Sequence, residues 1–405
     1  MRSRLLIALA AFVTLASISG SGQTTDWYQW RGPNRDGKSA ETGLLKEWPA
    51  AGPPLIWRAA GFGTGYSSFT SADGRLYTLG AREKTEYVIA IDAGTGKKVW
   101  EAVSGTLFSN DRGDGPRSSP TIDGDRLYAL GGNGDLSCLN IKTGQAVWKK
   151  NILQEFKGQN TVWGISESPL VLEDRVLVNA GGPDASVVAL NKMTGAVIWR
   201  SQSDPAAYSS AVVAQVGDVR QAVFFAANRA MGLDVRDGRL LWTYDKANNR
   251  TANIATPIVS GDKVFISSNY GTGAALLELS KFGAREVYFT RDMMNHYSSS
   301  VLVGDVLYGF SNSILTAMQF ATGKVGWVNR SVGKGSVIYA DQRLYLYSEN
   351  GVVALAEPNP ATYVEHGRFR ITTGELPTWS LPIITNGKLI LRDQNTVYAY
   401  DVRAR

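Results

Sequence analysis

A ten-residue sentence recurs along this chain and constrains its fold more than any single residue does. It reads IDAGTGKKVW ending at Trp100, LNIKTGQAVW at Trp148, LNKMTGAVIW at Trp199, LDVRDGRLLW at Trp242 and MQFATGKVGW at Trp327. In every copy a glycine stands four residues before the tryptophan: Gly96, Gly144, Gly195, Gly238 and Gly323. A polar residue stands eight before it: Asp92, Asn140, Asn191, Asp234 and Gln319. From Trp100 to Trp242 the copies are 48, 51 and 43 residues apart, and self-similarity at that period marks a repeat architecture.

The chemistry of the sentence is strand, tight turn, strand. An Asp or Asn at a strand end can bond its own backbone two residues on and so start a turn. Threonine or aspartate followed by glycine then supplies a position with positive φ. The next strand alternates, and its tryptophan offers a large apolar face to a neighbouring layer. One such hairpin cannot bury its own apolar side, so neighbours must stack.

A second signal accompanies the first: a small-residue strand, an Asx/Gly turn and an aromatic-rich strand. It begins at Ser67, Ser118, Glu167, Ser209, Ala255, Ser298, Gly335 and Ser380, which makes eight units of four strands by alternation and turn chemistry. The fifth unit keeps Gly283 but has Val287 and Tyr288 where tryptophan is expected, and the seventh has a longer turn before Phe369. The last unit runs through VYAYD to Asp401 and lacks a final strand, while PPLIWRA at 53–59, carrying Trp57, lacks a unit. Joining the two closes a ring and removes the exposed edges of an open array. The expected fold is all-β: an eight-bladed β-propeller of four-stranded antiparallel blades over 53–405.

Residues 1–22 read as a signal peptide, because Arg2 and Arg4 precede the apolar run Leu5 to Ala16 and small residues follow. The run is too short to span a bilayer. With no cysteine near the expected cleavage zone, no lipid anchor is expected, and the mature chain is placed in the periplasm or secreted. Residues 23–52, containing WYQWRGPNRDG, are expected to form an extended arm lying along the propeller. Loss of Arg2 and Arg4 takes the formal charge from +6 to +4; without basic clusters, nucleic-acid binding has no support. One cysteine, Cys138, excludes an internal disulfide, and two histidines exclude a histidine-built metal cluster. Cys138 itself reads as a small core residue.

The Asp-x-x-Thr-Gly-x-x-x-Trp sentence, the SPxxxxGD strand signal and the tryptophan-bearing closing strand resemble the pyrroloquinoline-quinone (PQQ)-like, quinoprotein-dehydrogenase-like propeller family over about residues 50–402. The arm QWRGPNRDG resembles that of secreted members without known activity. The family includes quinone-dependent alcohol dehydrogenases and the propeller lipoprotein of the β-barrel assembly machinery. The resemblance implies that cofactor or partner sites surround the central funnel, on the face carrying the longer connections between blades. It also implies, for the enzymes, an adjacent cysteine pair and a calcium held by carboxylate and amide oxygens. This chain has a single cysteine, and Glu167, Asn160, Asn253 and Asp111 lie in candidate loops at no spacing that argues for a site.

Binding residues gather on loops carried by a rigid scaffold. Trp163 lies off the repeat register with Glu167 four residues later; it reads either as a stacking platform for a sugar or quinone, or as a plug of the funnel. His296 beside Tyr297 reads as an acid/base pair or as a loop histidine with one local bond. Arg117, with Asp111, Arg112 and Asp114, reads as an anion clamp or as a solvated ion-pair surface. Asn253 completes the candidate set. The repeat tryptophans Trp57, Trp100, Trp148, Trp199, Trp242 and Trp327 read as structural. The functional expectation is a monomeric binding scaffold for a protein or a polymer such as a carbohydrate. The alternative is a PQQ-dependent alcohol or sugar dehydrogenase with PQQ and calcium in the funnel.

Overall fold

The computed structural model describes residues 25–404, so the signal segment expected over 1–22 lies outside the described residues. The strands form eight separate sheets with four antiparallel strands each, one of them extended by a short parallel strand. The blades, numbered along the chain, span residues 70–106, 121–151, 170–201, 212–244, 258–290, 301–329, 335–370 and 383–401. Blade 8 has three strands of its own, and Leu55–Ala60 supplies the fourth by pairing antiparallel with Thr396–Asp401. The ring is therefore closed by the two ends of the chain.

The recurrent turns form as their polar residues dictate. Asp92 Oδ1 accepts the N–H groups of Gly94 (3.1 Å) and Thr95 (2.8 Å), and Asn140 and Asn191 hold their own turns the same way. Gly96 follows at φ +72° and returns its N–H to the Asp92 carbonyl. A Cβ at Gly96 would come within 2.6 Å of the Trp57 ring. Glycine is thus required both for the left-handed backbone and for the ring that lies against it.

That ring belongs to the neighbouring blade, and the arrangement repeats. Trp57, Trp100, Trp148 and Trp199 lie against Gly96, Gly144, Gly195 and Gly238 of the next blade. Their Nε1 atoms donate to the carbonyls of Ala93, Ile141, Lys192 and Val235 at 3.0–3.1 Å. Trp327 reaches the Asn359 carbonyl of blade 7 at 2.8 Å. In blade 5, Tyr288 takes the tryptophan's place: its ring lies against Gly323 and its hydroxyl donates to the Phe320 carbonyl at 2.8 Å. Trp242 departs from the pattern by turning into its own blade, where Nε1 donates to Gln221 Oε1 at 2.7 Å. The cause lies in blade 5, whose two outer strands join through the tight Ser280↔Gly283 turn, so the usual glycine platform is missing there.

The small-residue signals have a separate purpose near the axis, where the inner strands converge. The Ser68 N–H donates to Ser119 Oγ (3.1 Å), Ser119 N–H to Ser168 Oγ (2.9 Å), and Ser168 N–H to Ser210 Oγ (2.9 Å). Thr256 N–H donates to Ser299 Oγ (2.8 Å), and Ser68 Oγ reaches back to the Leu381 carbonyl (2.5 Å). These bonds run from blade to blade, forming a hydroxyl belt that satisfies buried backbone groups.

The arm lies along the inner side of the propeller. It enters the axial channel and bonds to the inner strands of blades 1, 2, 3, 5, 6, 7 and 8. Trp27 pairs with Ser71, and the Tyr28 carbonyl accepts from Ile122. Arg31 donates to the carbonyls of Ser299 (3.3 Å) and Ser300 (2.6 Å). Arg35 donates to those of Ser168 (2.8 Å) and Pro169 (3.1 Å). Trp30 Nε1 donates to Thr256 Oγ1 at 2.9 Å. Lys38–Ser39 then pairs parallel with blade 7, and Glu41 accepts the Gly387 N–H of blade 8 at 2.6 Å. Both guanidinium groups are buried, and their rigid forks match the ring of inward carbonyls that the inner strands leave unpaired.

The closing contact yields a test. Trp57→Ala is expected to cost about 3–5 kcal/mol, because a buried ring and its hydrogen bond are lost together. Gly96→Ala, which pushes on the same ring, should destabilise too, and the double variant should cost less than the sum of the singles. Urea denaturation of the four proteins reads this; strict additivity would count against the contact.

Candidate ligand-binding funnel

The hydroxyl belt fixes what stands just above it. One residue precedes each belt pair, and in the eight sectors these are Tyr66, Arg117, Ser166, Tyr208, Ile254, Tyr297, Lys334 and Trp379. All eight line one cavity of about 420 Å³ on the face that carries the connections between blades. The propeller symmetry thus delivers one side chain per sector to a common wall. Arg112, Trp163, Thr251, Tyr270 and His296 add to it from the connecting loops and a hairpin tip, and Trp30 of the arm closes its floor.

The wall is largely aromatic. Tyr66 and Trp379 sit 5.0 Å apart at 36°, Tyr297 lies 5.8 Å from Trp379 at 35°, and Trp163 lies 5.5 Å from Tyr208 at 35°. Cations interrupt it. The Arg117 guanidinium packs on Phe108 (4.8 Å) and Tyr66 (5.5 Å) and donates to the Gly113 carbonyl at 2.6 Å and to that of Gly115. The Lys334 ammonium lies 5.7 Å from the Tyr297 ring centre and 3.6 Å from Glu349, which also accepts from Trp379 Nε1 at 3.1 Å. Arg112 is exposed at the rim. Among the lining residues none is Asp or Glu, and of the three cations Lys334 is paired with Glu349 behind the wall.

His296 Nε2 meets the Tyr270 hydroxyl at 3.0 Å, while its Nδ1 and the Tyr297 hydroxyl are buried without a protein partner. Burial, with the Lys334 ammonium adding to it, pushes the His296 pKa down to about 4. The imidazole is therefore neutral at ordinary pH, one nitrogen donating and the other accepting.

Of the sequence candidates, the funnel brings together Trp163, Arg117, His296 and Tyr297 and leaves out Glu167 and Asn253. Glu167 is buried behind the wall and accepts the Asn179 N–H. Burial pushes its pKa up to about 8, against that N–H and the Arg35 charge, both of which lower it. Asn253 is spent on the scaffold: its amide donates to the Ala226 (2.8 Å) and Ala227 (3.1 Å) carbonyls of a blade 4 hairpin, and its Oδ1 accepts the Asn249 N–H (2.8 Å) of its own loop. Asn160 likewise donates to the Gly132 carbonyl at 3.0 Å. Sequence reasoning missed Trp30, Tyr66, Tyr208, Tyr270, Lys334 and Trp379, four of them on the wall or rim of the ring by virtue of register. The signal was present: the position before each small-residue pair marks the wall.

The cofactor implied by the resemblance fits these residues unequally. A flat quinone bearing carboxylates suits aromatic platforms flanked by arginine and lysine. Calcium asks for several oxygen ligands, carboxylates among them. Glu167 and Asn253, two of the four residues named for it beside Asn160 and Asp111, point their oxygens into the scaffold, and among the described residues no group of three or more His, Cys, Asp or Glu side chains is placed to hold a metal ion. The calcium part does not fit.

A family model described as outer membrane protein assembly factor BamB matches residues 41–164 and 84–329. The chain is 26% identical over 251 residues to the outer membrane protein assembly factor BamB of Burkholderia pseudomallei, covering 57% of this chain and 59% of that protein. It is 28% identical over 140 residues to the quinohemoprotein alcohol dehydrogenase ADH IIB of Pseudomonas putida, covering 33% of this chain and 19% of that protein. The matches thus span less than two thirds of either relative. Among solved structures, BamB of Moraxella catarrhalis superposes with a TM-score of 0.64 at 15% identity, covering 86% of this chain and 99% of that one. The quinohemoprotein alcohol dehydrogenase of Comamonas testosteroni superposes with a TM-score of 0.69 at 14% identity, covering 94% and 81%. At such identities the superpositions speak for the fold alone. With most of its blades inside the matched region and a ring closed by its own two ends, the chain belongs to the PQQ-like β-propeller repeat family whose model carries the BamB description.

Proposed function

We propose that this chain is an extracytoplasmic binding propeller whose ligand seats in the funnel on the connection face. The observation that carries this reading is the wall itself: aromatic rings from several sectors and the cations Arg112, Arg117 and Lys334 converge on one cavity. The leader-like segment at 1–22 supports a place outside the cytoplasm, and no helix among the described residues is long and apolar enough to cross a membrane. Kinship with proteins named outer membrane protein assembly factor supports an interaction role. The rigid floor supports a binding role as well, since the arm holds Trp30 by one hydrogen bond and two buried arginines, leaving a preorganised cup.

The second reading, a quinone-dependent dehydrogenase, draws on the flat aromatic platforms and on the match to ADH IIB over a third of the chain. The inward-turned oxygens of Glu167 and Asn253 weigh against it. Purified protein incubated with PQQ, with and without calcium, and followed by dye reduction across alcohols and sugars separates the two. No turnover, and a PQQ affinity that calcium leaves unchanged, is expected. Calcium-dependent turnover would reverse the order of the readings.

The buried carboxyl gives an independent check. Glu167 holds its proton up to about pH 8 in the folded protein, against an ordinary value of 4.5. Its contribution to stability is full below pH 4.5 and is lost as pH rises through 8. Glu167→Gln keeps the acceptor for Asn179 and cannot ionise. It should stabilise the protein by on the order of 2–4 kcal/mol at about pH 8.5 and by under about 1 kcal/mol at about pH 5. Thermal melts at the two pH values measure this; equal effects at both would mean that Glu167 is ionised throughout, as a cation ligand would be.

A further inference from the structure

The order of residues around the funnel says more than its average character. Sectors 8 and 1 are neighbours across the ring closure and contribute Trp379 and Tyr66, the closest aromatic pair on the wall at 5.0 Å. The sectors on either side contribute cations: Arg117 from sector 2 and Lys334 from sector 7. Arg112 stands at the rim beside them, its carbonyl held by the Tyr66 hydroxyl at 2.5 Å. A tilted aromatic pair is thus bracketed by Arg117 on one flank and by Lys334, with its partner Glu349 behind it, on the other. Sector 6 then presents two polar atoms that the protein leaves unpaired, His296 Nδ1 and the Tyr297 hydroxyl. Burying such atoms without a partner is costly, so they mark where a hydrogen-bonding ligand group belongs.

Resting on the binding reading above, we propose that the funnel recognises an acidic sugar: a pyranose ring carrying a carboxylate, as a free uronic acid or as a residue of a uronate polymer. The apolar C–H face of the ring stacks on Trp379 and Tyr66, and the carboxylate lies toward Lys334, Arg112 and Arg117. Ring hydroxyls pair with His296 Nδ1 and the Tyr297 hydroxyl. Each half of the chemistry is needed. Aromatic platforms alone would take any flat apolar face, and cations alone any anion. The orphan hydroxyl and imidazole nitrogen add a demand for hydroxyl groups that an aromatic acid does not meet, and the neutral imidazole suits a hydroxyl better than a second carboxylate. The cavity, at about 420 Å³, has room for one or two sugar rings.

The test is a titration of the full mature protein, read by intrinsic tryptophan fluorescence and by calorimetry. Three probes are compared: a trisaccharide of galacturonic acid, the matching neutral trisaccharide of galactose, and PQQ as a flat aromatic polycarboxylate. The uronate is expected to bind at least about tenfold more tightly than the neutral sugar, with a salt-dependent affinity. Lys334→Gln and Arg112→Gln should each weaken the uronate about fivefold and leave the neutral sugar unchanged. Tyr297→Phe removes only the orphan hydroxyl; it should weaken both sugars about threefold without lowering the melting temperature. That variant keeps the proposal falsifiable even if a charge substitution disturbs the fold. Tight binding of PQQ with none of the uronate would overturn the sugar assignment while leaving the binding reading intact, as would equal binding of acidic and neutral sugars. Failure of all three probes on folded protein would overturn both.

Discussion

The structure depends on one contact between adjacent blades: an aromatic ring from the outer strand of one blade laid on the turn glycine of the next. The glycine turn has a surface for the ring only because it lacks a Cβ. Repeated at five of the eight interfaces, the contact converts self-insufficient hairpins into a ring. Because Trp57 comes from the N-terminal strand that completes blade 8 and Gly96 from blade 1, the same contact joins the last blade to the first.

Closure has a consequence for chemistry. The inner strands meet through small polar side chains, and the serine belt bonds each blade to the next. The belt in turn sets the register of the residue before it, so eight chemically unrelated side chains arrive at one wall. The scaffold is therefore insensitive to what stands at those positions, and the wall can differ between propellers built on the same turns and tryptophans. The arm completes the arrangement from within. Its two buried arginines satisfy carbonyls that the inner strands present to the channel, and its Trp30 turns an open pore into a floored cup.

The blade count, strand order and closure were legible in the sequence because the repeat states them many times over. Even the degenerate fifth copy carried enough, since Tyr288 offers both a ring and a hydroxyl and so performs the tryptophan's two contacts. The inward turn of Trp242 was not legible, because it depends on a neighbour's shortened turn and on Gln221 across its own sheet. The path of the arm was not legible for a similar reason. Nothing in the turn-rich stretch around Arg31 and Arg35 announces their burial, because only the closed ring supplies the carbonyls that make it favourable. At the site, residue type was a poor guide: Glu167 and Asn253 looked like ligands and proved to be internal struts. Position was the better guide, because the residue before each small pair is set by the ring's geometry, whereas its identity varies from tyrosine to isoleucine to lysine.

The ring closure on which all of this rests is most directly tested by native-state hydrogen exchange of the closing strand. If the first strand is an integral part of blade 8, the amides of 57–60 and of 396–401 should exchange together, and only through the same global opening that releases the inner strands of blades 2 to 6. Exchange of 57–60 through a separate, low-energy opening, with the remaining blades still protected, would mean that the ring is held together without it, and the account would fail.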